Sequence, residues 1–191
     1  MSSRPSLLFP LIAVVVCSFV VIGALAGLVV GVKRTNAASP DYRVVSAGGL
    51  QYEAMVGRPI DPQDSVDKAI VAGLPARERR VPQGDLLLGA FIAVTNPALR
   101  FIPSADRIEL RDDAGHVYRP LRVPAANPYA YSPHAIPPHT RAPLDGTAAA
   151  DNIAATGLLL LYRIPRSMYE SGVLELVIHP HGGGEAASLV I

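Results

Sequence analysis

An all-β fold preceded by one membrane-spanning helix is what this sequence predicts, on three observations. The first is a run of 26 residues without a charge, LLFPLIAVVVCSFVVIGALAGLVVGV, at positions 7–32. The second is the 18 prolines and 16 glycines, with few stretches of helical periodicity. The third is a set of about seven short apolar runs set off by turn residues, the pattern of a β-sandwich of immunoglobulin-like type. A small closed barrel is the alternative. The expected order is a short tail (1–6), a transmembrane helix acting as signal anchor (7–32), a linker (33–49) and the β-sandwich domain (50–191).

Residues 7–32 as a helix extend roughly 39 Å at about 1.5 Å per residue. About 20 apolar residues cross a hydrocarbon core of ~30 Å. A helix is required, since lipid offers no partner for backbone N–H and C=O groups. Pro10 falls in the first turn, where a missing donor costs least. A cleaved signal peptide would have an apolar region of roughly 7–15 residues, shorter than this run. Val16 precedes Cys17, where a lipoprotein would carry a small residue. Arg4 on one side and Lys33, Arg34 and Arg43 on the other leave the orientation open by charge alone. Gly23, Gly27 and Gly31 share one helix face, a strip along which a second helix can pack closely. Small residues are also common in membrane helices without such contact.

Beyond residue 34, 14 of the 17 basic residues stand against all 16 acidic ones. The two signs are interspersed, so no basic stripe for nucleic acid is present. Cys17 is the single cysteine, which excludes disulfides, thiolate nucleophiles and cysteine metal sites after residue 34.

The elements follow in order. Residues 35–49 read as a flexible tether. Residues 50–56 form a first strand with Tyr52, Ala54 and Val56 on one face. A short helix lies within 61–74, with Asp64 as N-cap, Asp67 as the acid of a capping box and Gly73 as the stop. Glu78, Arg79 and Arg80 are a solvated loop cluster. Residues 85–96 are a strand apolar on both faces: Leu86, Leu88, Ala90, Ile92 and Val94 on one side, Leu87, Gly89, Phe91, Ala93 and Thr95 on the other. Such a strand needs cover on both sides. Asn96-Pro97 ends it.

Residues 107–118 are a hairpin turning at Asp112-Asp113-Ala114-Gly115, its return strand running to about Leu121. Residues 120–143 hold seven prolines and are read as an extended loop lying along the sheet. Residues 146–156 are a surface crossing, 157–164 a strand, and 166–171 a turn or single helical turn. A strand at 172–179, a glycine-rich turn and a last short strand at 186–191 complete the chain.

Taken together, LQYEAMVGR, GLP, LLGAFIAVTNP, IELRDDAGHVYRPL, Asn127-Pro128-Tyr129-Ala130-Tyr131, LLLLYRIP and LELVI resemble a group of uncharacterised bacterial membrane-anchored or secreted proteins. Their domains are similar to the immunoglobulin-like domain of immunoprotective extracellular proteins. The resemblance covers roughly residues 49–191. It implies a sandwich outside the cytoplasm and no enzyme activity, and it brings no catalytic residues.

Candidate chemistry is sparse. His179-Pro180-His181 places two imidazoles on one face of an extended chain, with Glu185 near. A third ligand from His134 or His139 would complete a zinc or copper site. An exposed strand end is the simpler reading, and Met55 and Met168 read as packing residues. The serines lack a G-x-S-x-G elbow, and Ser132-Pro133-His134 adjacency does not make a triad. Glycines 182–184 precede Glu185, not the Lys of a phosphate loop. Asp112 and Asp113 are turn residues. Tyr129 and Tyr131 in the proline-rich loop are protein-binding candidates, against core packing of the same rings. The leading expectation is a non-enzymatic, membrane-anchored extracytoplasmic module that binds another envelope protein or the cell wall, without cofactor. A metal-binding envelope protein using His179 and His181 is the alternative, and a hydrolase ranks third.

Overall fold

The computed structural model describes residues 44–152 and 156–191, apart from the side chain of Ser171. The transmembrane helix expected at 7–32, with Gly23, Gly27 and Gly31, lies outside the described residues. Among those described, no helix is long and apolar enough to cross a membrane.

The described part is mainly β-structure with a few short helices. One sheet contains β1 (Val44–Ala47), β2 (Leu50–Ile60), β3 (Asp85–Thr95) and β9 (Leu158–Pro165), with β8 (Arg141–Ala142) beside the end of β3. A second sheet runs β11 (Ala187–Val190), β10 (Leu174–His179), β5 (Arg107–Asp112), β6 (Val117–Tyr118). β4 (Ile102–Pro103) and β7 (Ala135–Ile136) pair separately. All these pairings are antiparallel.

β3 behaves as its alternation predicts. Leu86, Leu88, Ala90, Ile92 and Val94 enter one apolar cluster together with Leu160, Tyr162 and Ile164 of β9. The same cluster takes Ile108 and Leu110 of β5, Leu174, Leu176 and Ile178 of β10, and Leu189 of β11. Both large sheets therefore drain into one core. Leu87 and Phe91, on the opposite face of β3, join a second cluster with Ile60, Leu159 and Leu161. Ile70, Val71 and Leu74 cap that cluster; they belong to α1 (Ser65–Ile70) and the turn after it. Gly89 leaves this face room: a Cβ there would sit 2.9 Å from Ile60 Cδ1 and 3.0 Å from Phe91 Cε2.

The proline-rich loop does lie along the sheet. Leu121 N–H donates to Leu161 O at 2.7 Å, Tyr131 N–H to Leu159 O at 3.0 Å, and Leu159 N–H to Tyr129 O at 2.7 Å. These bonds satisfy the edge of β9 that β3 leaves free.

Several expectations are corrected. The linker expected to reach residue 49 ends sooner, because Val44–Ala47 pair with β2 as an additional first strand. β2 runs on to Ile60, past the predicted end at Val56, through an irregularity between Ala54 and Val56. The return strand of the hairpin ends at Tyr118, since Leu121 bonds β9 instead. Two further short helices occur, α2 (Ala76–Arg79) in the predicted charged loop and α3 (Ala148–Asp151) in the predicted crossing. The single helical turn expected near 166–171 is α4 (Arg166–Ser171).

Asp64 caps α1 as predicted, its carboxylate accepting from the N–H groups of Val66 and Asp67. Asp67 is not the capping-box acid. Its buried carboxylate accepts two bonds from the Arg58 guanidinium, at 2.6 and 3.1 Å, and one from the Asp61 N–H at 2.9 Å. Arg58 also lies 5.9 Å from the centre of the Phe91 ring. The pair thus ties α1 to β2 over the second core.

Burial raises the Asp67 pKa, but Arg58 and the Asp61 N–H outweigh it and hold the carboxyl below its ordinary value. A carboxyl lowered in the folded state contributes stability above its unfolded value, about 3.9, and loses it as pH falls through the folded value. Asp67→Asn should therefore cost about 1.5–3 kcal/mol at neutral pH, the range for hydrogen bonds to a charged group. In urea unfolding the gap from wild type should narrow below about pH 4. A gap independent of pH would show that the ion pair is not its source.

Candidate functional site

β5 and β10 pair so that His179 lies opposite Arg107 and Val177 opposite Glu109. Alternation on β5 turns Ile108 and Leu110 into the core and leaves Arg107 and Glu109 outward. The outward side chains, with Asp106, Arg119, Pro180 and glycines 182–184, line an open groove of about 780 Å³. The glycine turn is part of this lining. Gly182, Gly183 and Gly184 all have positive φ, a conformation other residues rarely adopt.

The groove holds a connected set of charges. Arg107 Nη2 lies 2.8 Å from His179 Nδ1, and His179 Nε2 lies 3.2 Å from Glu109 Oε2. Arg119 Nε lies 3.8 Å from Glu109 Oε1 on the other side. A guanidinium only donates, so Nδ1 of His179 must be the acceptor. In the neutral ring the proton is then on Nε2 and is donated to the Glu109 carboxylate. The tautomer of His179 is fixed by its neighbours.

This geometry bears directly on the histidine candidates. A metal needs an imidazole lone pair, and that of His179 is occupied by Arg107. His181 faces another acid, with Nδ1 3.6 Å from Asp106 Oδ2. His134 Nδ1 bonds the Ser132 carbonyl, and His116 Nδ1 lies 2.8 Å from Asp112 Oδ2. Among the described residues no three His, Cys, Asp or Glu side chains converge as ligands. The two imidazoles of His179-Pro180-His181 thus face different carboxylates, Glu109 and Asp106.

Asp112 serves the hairpin turn. Its side chain accepts from the His116 N–H at 2.8 Å and from the Tyr118 hydroxyl at 3.2 Å. Burial raises its pKa, and the bonds from His116 and Tyr118 more than offset this, so the carboxyl is held below its ordinary value.

Tyr129 and Tyr131 are half-buried and pack against different cores, Tyr129 on the second and Tyr131 on the first. The Tyr131 hydroxyl donates to Ala105 O at 2.6 Å, and burial pushes its pKa well above the ordinary tyrosine range. The Tyr52 hydroxyl accepts from the N–H of the same Ala105 at 2.8 Å. The two rings do not form one outward aromatic patch.

Arg107, Glu109 and Arg119 carry no motif. Their alternation marks them only as outward residues of a hairpin, and what joins them to His179 is the β5–β10 register.

No family model matches the sequence, and no curated protein matches it. Two solved structures show a distant similarity to the chain. The yjhA protein from Bacillus subtilis is 14% identical with a TM-score of 0.42, covering 72% of this chain and 77% of that one. A conserved hypothetical protein from Bacillus anthracis is 10% identical with a TM-score of 0.44, covering 72% and 87%. These structural neighbours are bacterial, and neither is described as immunoglobulin-like or immunoprotective.

In mildly alkaline buffer, long-range nitrogen–proton correlation spectra should show His179 as the Nε2–H tautomer. Arg107→Met should release Nδ1 and yield a mixture. A dominant Nδ1–H form in the unsubstituted chain would contradict the assigned Arg107–His179–Glu109 arrangement.

Proposed function

We propose that this chain is a non-enzymatic, single-pass envelope protein. Residues 7–32 anchor it, and a β-sandwich of immunoglobulin-like type stands on the extracytoplasmic side as a binding or structural module. The observation that carries the anchoring is the charge-free run of 26 residues closed by Lys33 and Arg34. Strand order supports the sandwich. β2-β3-β9 in one sheet and β11-β10-β5-β6 in the other follow the A-B-E and G-F-C-C′ order of an immunoglobulin-type domain. The core shared between those sheets supports it as well.

A binding role rather than turnover is supported by the groove. His179 is bonded at both ring nitrogens, and Glu109 lies between His179 and Arg119. Such mutual engagement favours a fixed recognition surface over a base that must exchange protons with a substrate. Its guanidinium groups and glycine backbone suit a polar or anionic group on another envelope protein or the wall.

The test uses the full chain in bacterial membranes. It should stay in the pellet through alkaline carbonate extraction, and protease added to spheroplasts should digest the domain. Release by carbonate would overturn the anchor, and full protection from external protease would overturn the extracytoplasmic placement.

A further inference from the structure

We propose that loop 96–101 is a lipid-docking tip, dipping Leu99 and Phe101 into the interface of an anionic bilayer; this rests on the anchoring proposed above. Leu99 is 85% exposed and Phe101 64%, the two most exposed large apolar side chains among the described residues. They flank Arg100, which is also exposed.

The exposure is built in. Asn96 at the base of the loop is fully buried. Its side-chain amide donates to the carbonyls of Arg100, Ile136 and Pro137 at 2.7, 2.9 and 3.0 Å. Its Oδ1 accepts from the Ala98 N–H at 2.9 Å. The Asn96 N–H bonds Thr140 O, and the His139 N–H bonds Ala98 O. The backbone on either side of Leu99 is thus tied to the domain, so the side chain cannot fold back by loop rearrangement. Phe101 is fixed outward by its neighbour, because Ile102 is buried and pairs with Ile136.

The chemistry matches a lipid surface. Leucine and an aromatic ring with an adjacent cation are what interfacial segments present: apolar groups for the acyl boundary and a charge for anionic headgroups. Reach is sufficient. The register Ser46↔Gln51 and Gln51↔Thr95 puts the loop at the end of the sheet where β1 turns into β2. From Val44 to that end is about 14 Å at strand rise. Residues 33–43 extend to at most about 37 Å, more than double that distance. A chain leaving the bilayer can therefore return this end to it.

The chain has no tryptophan, so Phe101→Trp makes a single reporter in the full-length protein. It is reconstituted in phosphatidylcholine–phosphatidylglycerol vesicles carrying brominated acyl chains. Val117→Trp, at an exposed position by the far end of β5, is the comparison. Expected are blue-shifted emission for Phe101→Trp and lipid quenching several-fold stronger than for Val117→Trp. Leu99→Trp should behave as Phe101→Trp does. If the protein co-floats with vesicles but Phe101→Trp and Leu99→Trp are not quenched, docking is overturned while the anchor stands. Shielding from aqueous iodide without lipid quenching also overturns it, in favour of a protein or second-copy cover. Failure to co-float removes the anchor and the docking together.

Discussion

Strand β3 must be dry on both sides, and the rest of the domain is arranged to meet that demand. Its even-numbered residues from Leu86 to Val94 face the second sheet, and Leu87 and Phe91 face away from it. One face of a strand this apolar, left in water, would forgo roughly 1.5–3 kcal/mol for each large side chain. The second sheet covers one face. The other is covered by α1, the turn after it, and the proline-rich loop. The loop also fills the open edge of β9, so backbone polar groups are satisfied where a further strand would otherwise be needed. Segments that look peripheral in sequence are therefore the second layer of cover.

Two asparagine–proline corners hold these covers in place by the same device. Asn96 and Asn127 are both buried, and each precedes a proline. In each, Oδ1 accepts the N–H two residues on, and the amide group reaches remote carbonyls. Asn127 donates to Ile70 O and Ala72 O at 2.8 and 3.0 Å, pinning the loop to the end of α1. Asn96 does likewise for the segment around residue 137. The proline sets the turn, and the buried amide replaces the ladder bonds that the proline interrupts. The first corner leaves a rigid apolar tip in solvent; the second closes a core.

Much of this was legible in the sequence where a signal is local. The two-faced alternation of 85–96 called for two covers, the acidic-glycine hairpin appeared as a turn, and Asp64 and Gly73 bracketed α1. Long-range choices were not legible. Val44–Ala47 carries no strand pattern distinct from its tether and becomes a strand by pairing with β2. Asp67 sits at capping-box spacing, yet Arg58 nine residues earlier captures it. Tyr129 and Tyr131, two apart, reach different cores because the loop passes along the rim between them. The groove's charged side chains on β5 meet Arg119 and His179 only through strand pairing, so spacing gave no sign of the set. Sequence adjacency likewise gives no sign that the His179 lone pair meets Arg107 across the strand pairing.

The functional reading proposed above grows from what that frame carries: a polar groove of mutually engaged charges and a stiff apolar corner. Its central physical claim is the two-sided burial of β3. Native-state hydrogen exchange measures this directly. The β3 amides engaged with β2 and β9 should exchange only through global unfolding, with the largest protection in the molecule and the full denaturant dependence. Exchange through small local openings, faster than that of β5 and β10, would contradict β3 as the strand on which both covers close.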